Sequence, residues 1–322
     1  MSHDVTVTIL TFNGDEYLRD LLTSLVNQET QYSYEILVID SGSSDGTLEI
    51  CKEFSEVRIV EIPNHEFGHG RTRNLAVSFS DSTYMAFLTQ DAVPSHPRWL
   101  DALLEPFEIM ENISCVFGKQ IPRPDCVAIV KREVELVFSS FGDDASLSVQ
   151  RKTAITESIN VLNTFFSDVN SAVRRECVLE VPFQDLNYAE DQALAVDHLN
   201  HGWFKVYAPL ASVMHSHNYP LKKYFSRKMD ECIGLYDSIG YVRQVSAKQC
   251  LRNFLSGTIK DMLFIKRDRQ YSVRMKLANI AKAPAYNYAL QKCYWLARDP
   301  SAHSKLKKHS LETAERQKIT ST

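Results

Sequence analysis

Apolar positions along the first hundred residues follow two alternating periods. VTVTILTF (5–12), YEILVID (34–40), VRIVEIP (57–63) and STYMAFLT (82–89) are runs rich in β-branched or aromatic residues, suited to buried strands. Between them the period lengthens. NGDEYLRDLLTSLVNQ places Leu18, Leu21, Leu22, Leu25 and Val26 on one helical face, with Asn13 as the expected N-cap. TLEICKEF predicts a short helix, and GHGRTRNLAVSFS opens on glycines and continues as another. Strand–helix alternation with short connections specifies βαβ units, hence an α/β fold with a mostly parallel sheet flanked by helices.

The middle of the chain is less regular. PRWLDALLEPFEIM predicts one helix, VFGKQIPRP a strand and a Pro-rich turn, and 121–168 an excursion over the active face. NYAEDQALAVDHLNHGW is an amphipathic helix, and FKVYAPLASVMHSHNY predicts a strand pair ending in two histidines. From Pro220 the pattern is helical. The expected division is a domain over 1–219, with halves of 1–98 and 99–219, followed by a helical, basic C-terminal region over 220–322.

Composition adds limits. With 322 residues, 44% hydrophobic and 24% charged, the chain suits a soluble protein with a sizeable core. It has no 18-residue apolar run, so no transmembrane helix is expected, and MSHDVTVTIL lacks the basic start of a secretory signal. Seven scattered cysteines with no CxxC spacing point to structural thiols in a reduced, cytoplasmic setting. Residues 266–322 hold 13 Lys and Arg against 4 Asp and Glu, so the tail is basic and the preceding body acidic. Tyr271, Tyr286, Tyr288, Tyr294 and Trp295 interleave with that charge. This suits a peripheral helix at the inner face of a membrane; a solvated tail or an oligomer interface are the alternatives. No RNA-binding module is present, so no nucleic-acid partner is expected.

Four polar turns follow strands: TFNG (11–14), DSGSSDG (40–46), NHEFGHGR (64–71) and TQDA (89–92). Open sheets bind ligands beyond the carboxyl ends of their strands. DSGSSDGT offers N–H groups and small side chains to a nucleotide, with Asp40 placed to accept from a pyrimidine or a ribose; it equally suits a turn that satisfies its own donors. GHGRTRN sets two arginines at a helix start, which fits a diphosphate or a solvated basic turn, and matches neither a Walker loop nor a dinucleotide fingerprint. YAEDQAL places adjacent carboxylates in a first helical turn, favoured by the helix dipole alone or useful as a general base. HSH (215–217) points two histidines the same way, of which one is enough for a metal.

In this order, VTILTFNG, IDSGSSDGT, the Gly-Arg-Arg-Asn helix, FLTQDAVP, AED and the strand-end His resemble family 2 glycosyltransferases of the GT-A fold, over about residues 4–220. NHEFGHGRTRNLA with LTQDA is more narrowly similar to bacterial rhamnosyltransferases, which take L-rhamnose from dTDP-L-rhamnose to build surface polysaccharide. The resemblance implies that Thr11, Asn13, Asp40 and Ser43 line the nucleoside pocket, with Gln90 beside the donor, and that Arg71 and Arg73 face the diphosphate or sugar. Asp191 matches the catalytic base, with Glu190 as its neighbour. Asp91 matches the last carboxylate of the Asp-x-Asp metal motif, and His215, or its close alternative His217, the histidine that completes the site. Thr89 stands where many relatives carry the first Asp. One carboxylate, donor phosphates, waters and a His would then hold Mg²⁺ or Mn²⁺, so that metal and nucleotide bind as a unit. The competing arrangement neutralises the diphosphate with arginines and helix dipoles alone. The implied acceptor is a saccharide or polyprenyl-linked saccharide. A UDP-sugar donor and a non-catalytic sugar-nucleotide binding module are the alternatives. A nucleotidyltransferase is disfavoured, because TFNGDEYL lacks the Gly-rich basic loop that class normally carries after its first strand.

Overall fold

The computed structural model describes residues 3–152, 164–186 and 188–309. The chain divides into two compact units. The first comprises Met1–Ile121, Phe138–Leu186 and Glu190–His215; the second comprises Pro122–Val137, Asn187–Ala189 and Ser216–Thr322.

The elements run β1 (Val5–Thr11), α1 (Asp15–Val26), β2 (Tyr34–Asp40), α2 (Thr47–Lys52), β3 (Val57–Glu61), α3 (His69–Ser78), β4 (Tyr84–Thr89), β5 (Val93–Pro94), α4 (Trp99–Leu104), α5 (Pro106–Ile109), β6 (Ile113–Ile121), α6 (Ala128–Ser139), β7 (Ser148–Gln150), β8 (Asn170–Arg174), α7 (Arg175–Glu180), α8 (Glu190–His201) and β9 (Phe204–Met214). The first unit is built on a sheet of order β3-β2-β1-β4-β8-β6-β9-β5, with β7 also paired to β9. β1 runs parallel to β2 and β4, and β2 to β3. β8 runs antiparallel between β4 and β6. This is the mostly parallel, helix-flanked sheet that the alternating periods predict.

β1 lies mid-sheet and is buried on both faces. Val5, Val7 and Ile9 fill one side with Leu18, Leu21, Leu22 and Leu25 of α1, while Thr6 and Thr8 are buried on the other. The Thr6 hydroxyl is satisfied by Ser80 at 2.6 Å and Ser82 at 2.9 Å, so the buried polar face carries no orphan at that position.

Four local expectations change. The single helix over PRWLDALLEPFEIM is two, because Pro106 has no N–H to continue α4 and instead opens α5. The strand pair over FKVYAPLASVM is one strand of 11 residues, β9, whose pairing with β6 shifts register between Gly118 and Gln120. That irregularity accommodates Pro209, which has no N–H to give a ladder. Gly14, not Asn13, precedes α1, and Asn13 adopts φ +47°. β8, over NSAVR, is a strand that the sequence pattern does not predict. Of the 121–168 excursion, 153–163 lie outside the described residues; the rest ends β6 and supplies α6 and β7.

The second unit carries α9 (Leu221–Ile239), α10 (Ala247–Arg267) and α11 (Val273–Ala297). α10 starts in a reciprocal capping box between Ser246 and Gln249, and α9 ends on Gly240 at φ +69°, where a left-handed residue closes the last turn. Among the described residues no helix is long and apolar enough to cross a membrane.

Candidate active site

Three groups of side chains gather at the carboxyl edge of the sheet. The first joins the exits of β1, β2 and β4. Thr11 and Asp40 are register partners in parallel strands. The buried Asp40 carboxylate accepts from Thr11 Oγ1 at 2.8 Å, Ser43 Oγ at 2.5 Å, and the N–H groups of Gly42 at 3.0 Å and Ser43 at 2.8 Å. Gly42 lies at φ +89°, a conformation glycine adopts without strain. Asn13 clasps the same loop: its Oδ1 accepts from Ser44 N at 2.8 Å, and its N–H donates to Ser43 Oγ at 2.9 Å. Gln90 braces β4 against β1, accepting from Phe12 N at 2.9 Å and donating to Phe12 O at 3.2 Å. Gly14 leaves the room that the Gln90 amide occupies. Thr11, Asn13, Asp40, Ser43 and Gln90 therefore come together. The polar atoms of Asp40 and Gln90 hold the rim in shape, as in the self-satisfied form of the turn.

The second group forms around Arg73. Residues two apart on a helix project about 200° from each other, so Arg71 and Arg73 cannot share a face. Arg71 is exposed, with Nη2 3.0 Å from Asp185. Arg73 points inward and is only 6% exposed. Its Nε lies 2.9 Å from Asp168 Oδ2, close enough for an ion pair though not aligned as a hydrogen bond, and Nη1 pairs with Glu190. Phe87 and Phe183 pack against the guanidinium. Arg73 is thus a buried counter-ion, and the exposed guanidinium of the two is that of Arg71.

Asp191 adjoins this group. Its Oδ2 accepts from Asp168 N at 3.2 Å. Burial, then repulsion from Glu190 and Asp168, push the Asp191 carboxyl well above the usual carboxylate range, against the pull of Arg73. Glu190 ends below its ordinary value: burial raises it, but Arg73, His69 and the hydrogen bonds to its carboxylate together outweigh burial. Asp168 ends raised by burial. Two adjacent carboxylates so separated are suited to different tasks, and Asp191 is the one poised to take a proton. Nothing in the local sequence marks Asp168, since SDVNSAVR is a stretch of mixed polarity with little period of its own.

The third group is Asp91 with His215. His215 Nε2 lies 3.5 Å from Asp91 Oδ2. His215 Nδ1 is 3.0 Å from Gln120 Oε1, and Gln120 Nε2 donates to Ser167 Oγ at 3.1 Å. Gln120 therefore accepts from Nδ1–H and leaves the Nε2 lone pair directed toward Asp91, the support a metal-binding imidazole needs. One carboxylate oxygen and one imidazole nitrogen within 4.8 Å of each other fit a divalent cation. The Thr89 hydroxyl is buried, leaving Asp91 as the carboxylate of this turn. Nothing in the local sequence marks Gln120 as the support of His215. His217 falls in the second unit. Thr89 N donates to Val169 O at 3.4 Å, so the exit of β4 meets the segment holding Asp168 and ties the third group to the second.

The model of the family "Glycosyl transferase family 2" matches residues 6–180. The chain belongs to glycosyl transferase family 2. This glycosyltransferase is 30% identical over 229 residues to the O-antigen chain rhamnosyltransferase RfbN of Salmonella typhimurium, covering 70% of each chain. The same identity and coverage relate it to the O-antigen chain rhamnosyltransferase WbaN of Salmonella anatum. Among solved structures it is similar to the mannosyltransferase PcManGT of Pyrobaculum calidifontis in complex with GDP-Man and Mn²⁺, with TM-score 0.53 and 16% identity, covering 100% of this chain and 80% of that one. It is also similar to glucosyl-3-phosphoglycerate synthase of Mycobacterium tuberculosis in complex with UDP, with TM-score 0.51 and 17% identity, covering 75% and 82%. At that identity the likeness is one of fold, and the glycosyltransferase has the GT-A type of sheet.

Proposed function

We propose that this glycosyltransferase moves L-rhamnose from dTDP-L-rhamnose onto a saccharide or polyprenyl-linked saccharide, with inversion, at the cytoplasmic face of the membrane. The acceptor hydroxyl gives its proton to Asp191 as its oxygen bonds to the anomeric carbon. The bond from that carbon to the diphosphate oxygen breaks, and dTDP leaves with the electron pair. Thr11, Asn13, Ser43 and the backbone of the 40–46 turn border the nucleoside, and Arg71 offers its guanidinium to the diphosphate. Mg²⁺ or Mn²⁺ would be held by Asp91 and His215 and would supply positive charge to the departing diphosphate. Glu190 stays ionised beside Arg73 and thereby keeps the Asp191 proton affinity high.

The observation that carries the mechanism is Asp191, raised by burial and by Glu190 and Asp168. The donor rests on the two rhamnosyltransferases at 30% identity. The test is calorimetric titration with dTDP-L-rhamnose and with UDP-glucose, each with Mn²⁺ and with EDTA. Metal-dependent binding of the dTDP sugar is expected. Binding of UDP-glucose alone would overturn the donor, and equal binding in EDTA would move diphosphate neutralisation to Arg71.

A further inference from the structure

The hairpin of α10 and α11 carries a surface that the catalytic scheme does not use. On α10, Leu251, Leu255, Ile259 and Leu263 follow one another at every fourth residue, and each is between 49% and 61% exposed. Residues four apart lie one above another on a helix, so these four form a continuous stripe. On α11, Val273, Leu277 and Tyr288 are 76%, 65% and 61% exposed and recur at helical spacing. Scattered exposed apolar residues are ordinary on a protein surface; a leucine or isoleucine at each turn of a helix is not.

The charge around this stripe has one sign. Residues 247–297 hold ten Lys and Arg and two Asp. Both aspartates are turned inward. Asp261 is fully buried, bonded to Arg132 and to Asn287, and Asp268 Oδ2 is 2.6 Å from Lys131 Nζ. Of the ten basic residues nine are exposed, Arg252, Lys260, Arg274 and Lys282 among them. The hairpin thus offers solvent apolar side chains and positive charge, with no exposed carboxylate.

We propose that the α10–α11 hairpin docks on an anionic lipid surface, its apolar stripe entering the boundary between headgroups and acyl chains and its Lys and Arg meeting lipid phosphates. A nucleic acid would pair with the charge but leave the leucines in water. A second copy of the same surface would bring like charges together. Neither helix is apolar enough to cross a bilayer, so the hairpin lies on the surface.

The test is flotation of the full chain with vesicles of phosphatidylcholine alone or mixed equally with phosphatidylglycerol. Wild type is expected to float with the mixed vesicles and to release as salt rises. The double variant Leu255→Glu/Ile259→Glu is expected to lose about tenfold or more in partition. Arg252→Gln/Lys260→Gln should bind less at low salt and depend less on salt. All four sites are exposed and the new residues are good helix formers, so helical content and melting temperature should stay at wild-type values. Absence of flotation, flotation indifferent to phosphatidylglycerol, or flotation unchanged by both double variants would overturn the proposal. So would a dimer in sedimentation velocity that dissociates in Leu255→Glu/Ile259→Glu without any vesicle binding. Donor titration of the same variants should match wild type, which separates this test from that of the donor.

Discussion

Asp191 draws its chemistry from its neighbours. Glu190 and Asp168 stand beside it, and one guanidinium, Arg73, serves the group. Asp191→Asn keeps the shape and removes the proposed base. We expect turnover to fall by about 10²–10⁴ with donor affinity preserved; loss of donor binding instead would remove Asp191 from that role. The raised carboxyl also sets a pH dependence. A base at Asp191 would work only when ionised, so under the proposed mechanism the acidic limb of kcat should lie above the ~3.9 of an ordinary Asp and vanish in the residual activity of Asp191→Asn. The stability sign is the reverse of the usual carboxylate: folding favours the protonated form, and that contribution is lost as pH rises through the raised value. Arg73→Met leaves buried carboxylates without a counter-ion. A loss of about 3–5 kcal/mol is expected, read as a fall in chemical-denaturation midpoint. A normally stable Arg73→Met with weakened donor binding would return Arg73 to the donor site.

Strands and helices were legible where one period ran uninterrupted. β1, β2, β4 and α1 are long local patterns, and local pattern is what side-chain burial on a sheet or helix face imposes. β8 is not legible in the sequence because five residues of mixed polarity, NSAVR, carry little period of their own; they form a strand because β4 and β6 offer ladders on both sides. The pattern over FKVYAPLASVM suggests a strand pair, but β9 is continuous because β6 absorbs the irregularity around Pro209. There Gly118 faces the carbonyl oxygen of Ala211 and the amide of Asn170, with no space for a Cβ. Since the nearest atom is backbone, the strand cannot yield cheaply. Gly118→Ala is expected to destabilise by about 1–3 kcal/mol in urea unfolding; a neutral result would show that β6 and β9 separate locally at little cost.

Over the whole chain, the sheet unit holds all the candidate site residues but His217, and the helical unit holds the apolar, basic hairpin. Spacing and residue type placed polar turns after buried strands and separated an acidic body from a basic tail, and the family resemblance of the motifs pointed to Asp91, Asp191 and His215. All of these are local properties of the chain. The inward turn of Arg73, the participation of Asp168 and the support of His215 by Gln120 depend on residues 95 apart for each of the pairs 73–168 and 120–215. Such pairings follow from which strands lie side by side, and local period does not encode them. The exposed leucines of α10 belong to the same class. Their spacing marks a helical face, but that face meets solvent only because the packing of the unit buries the opposite one.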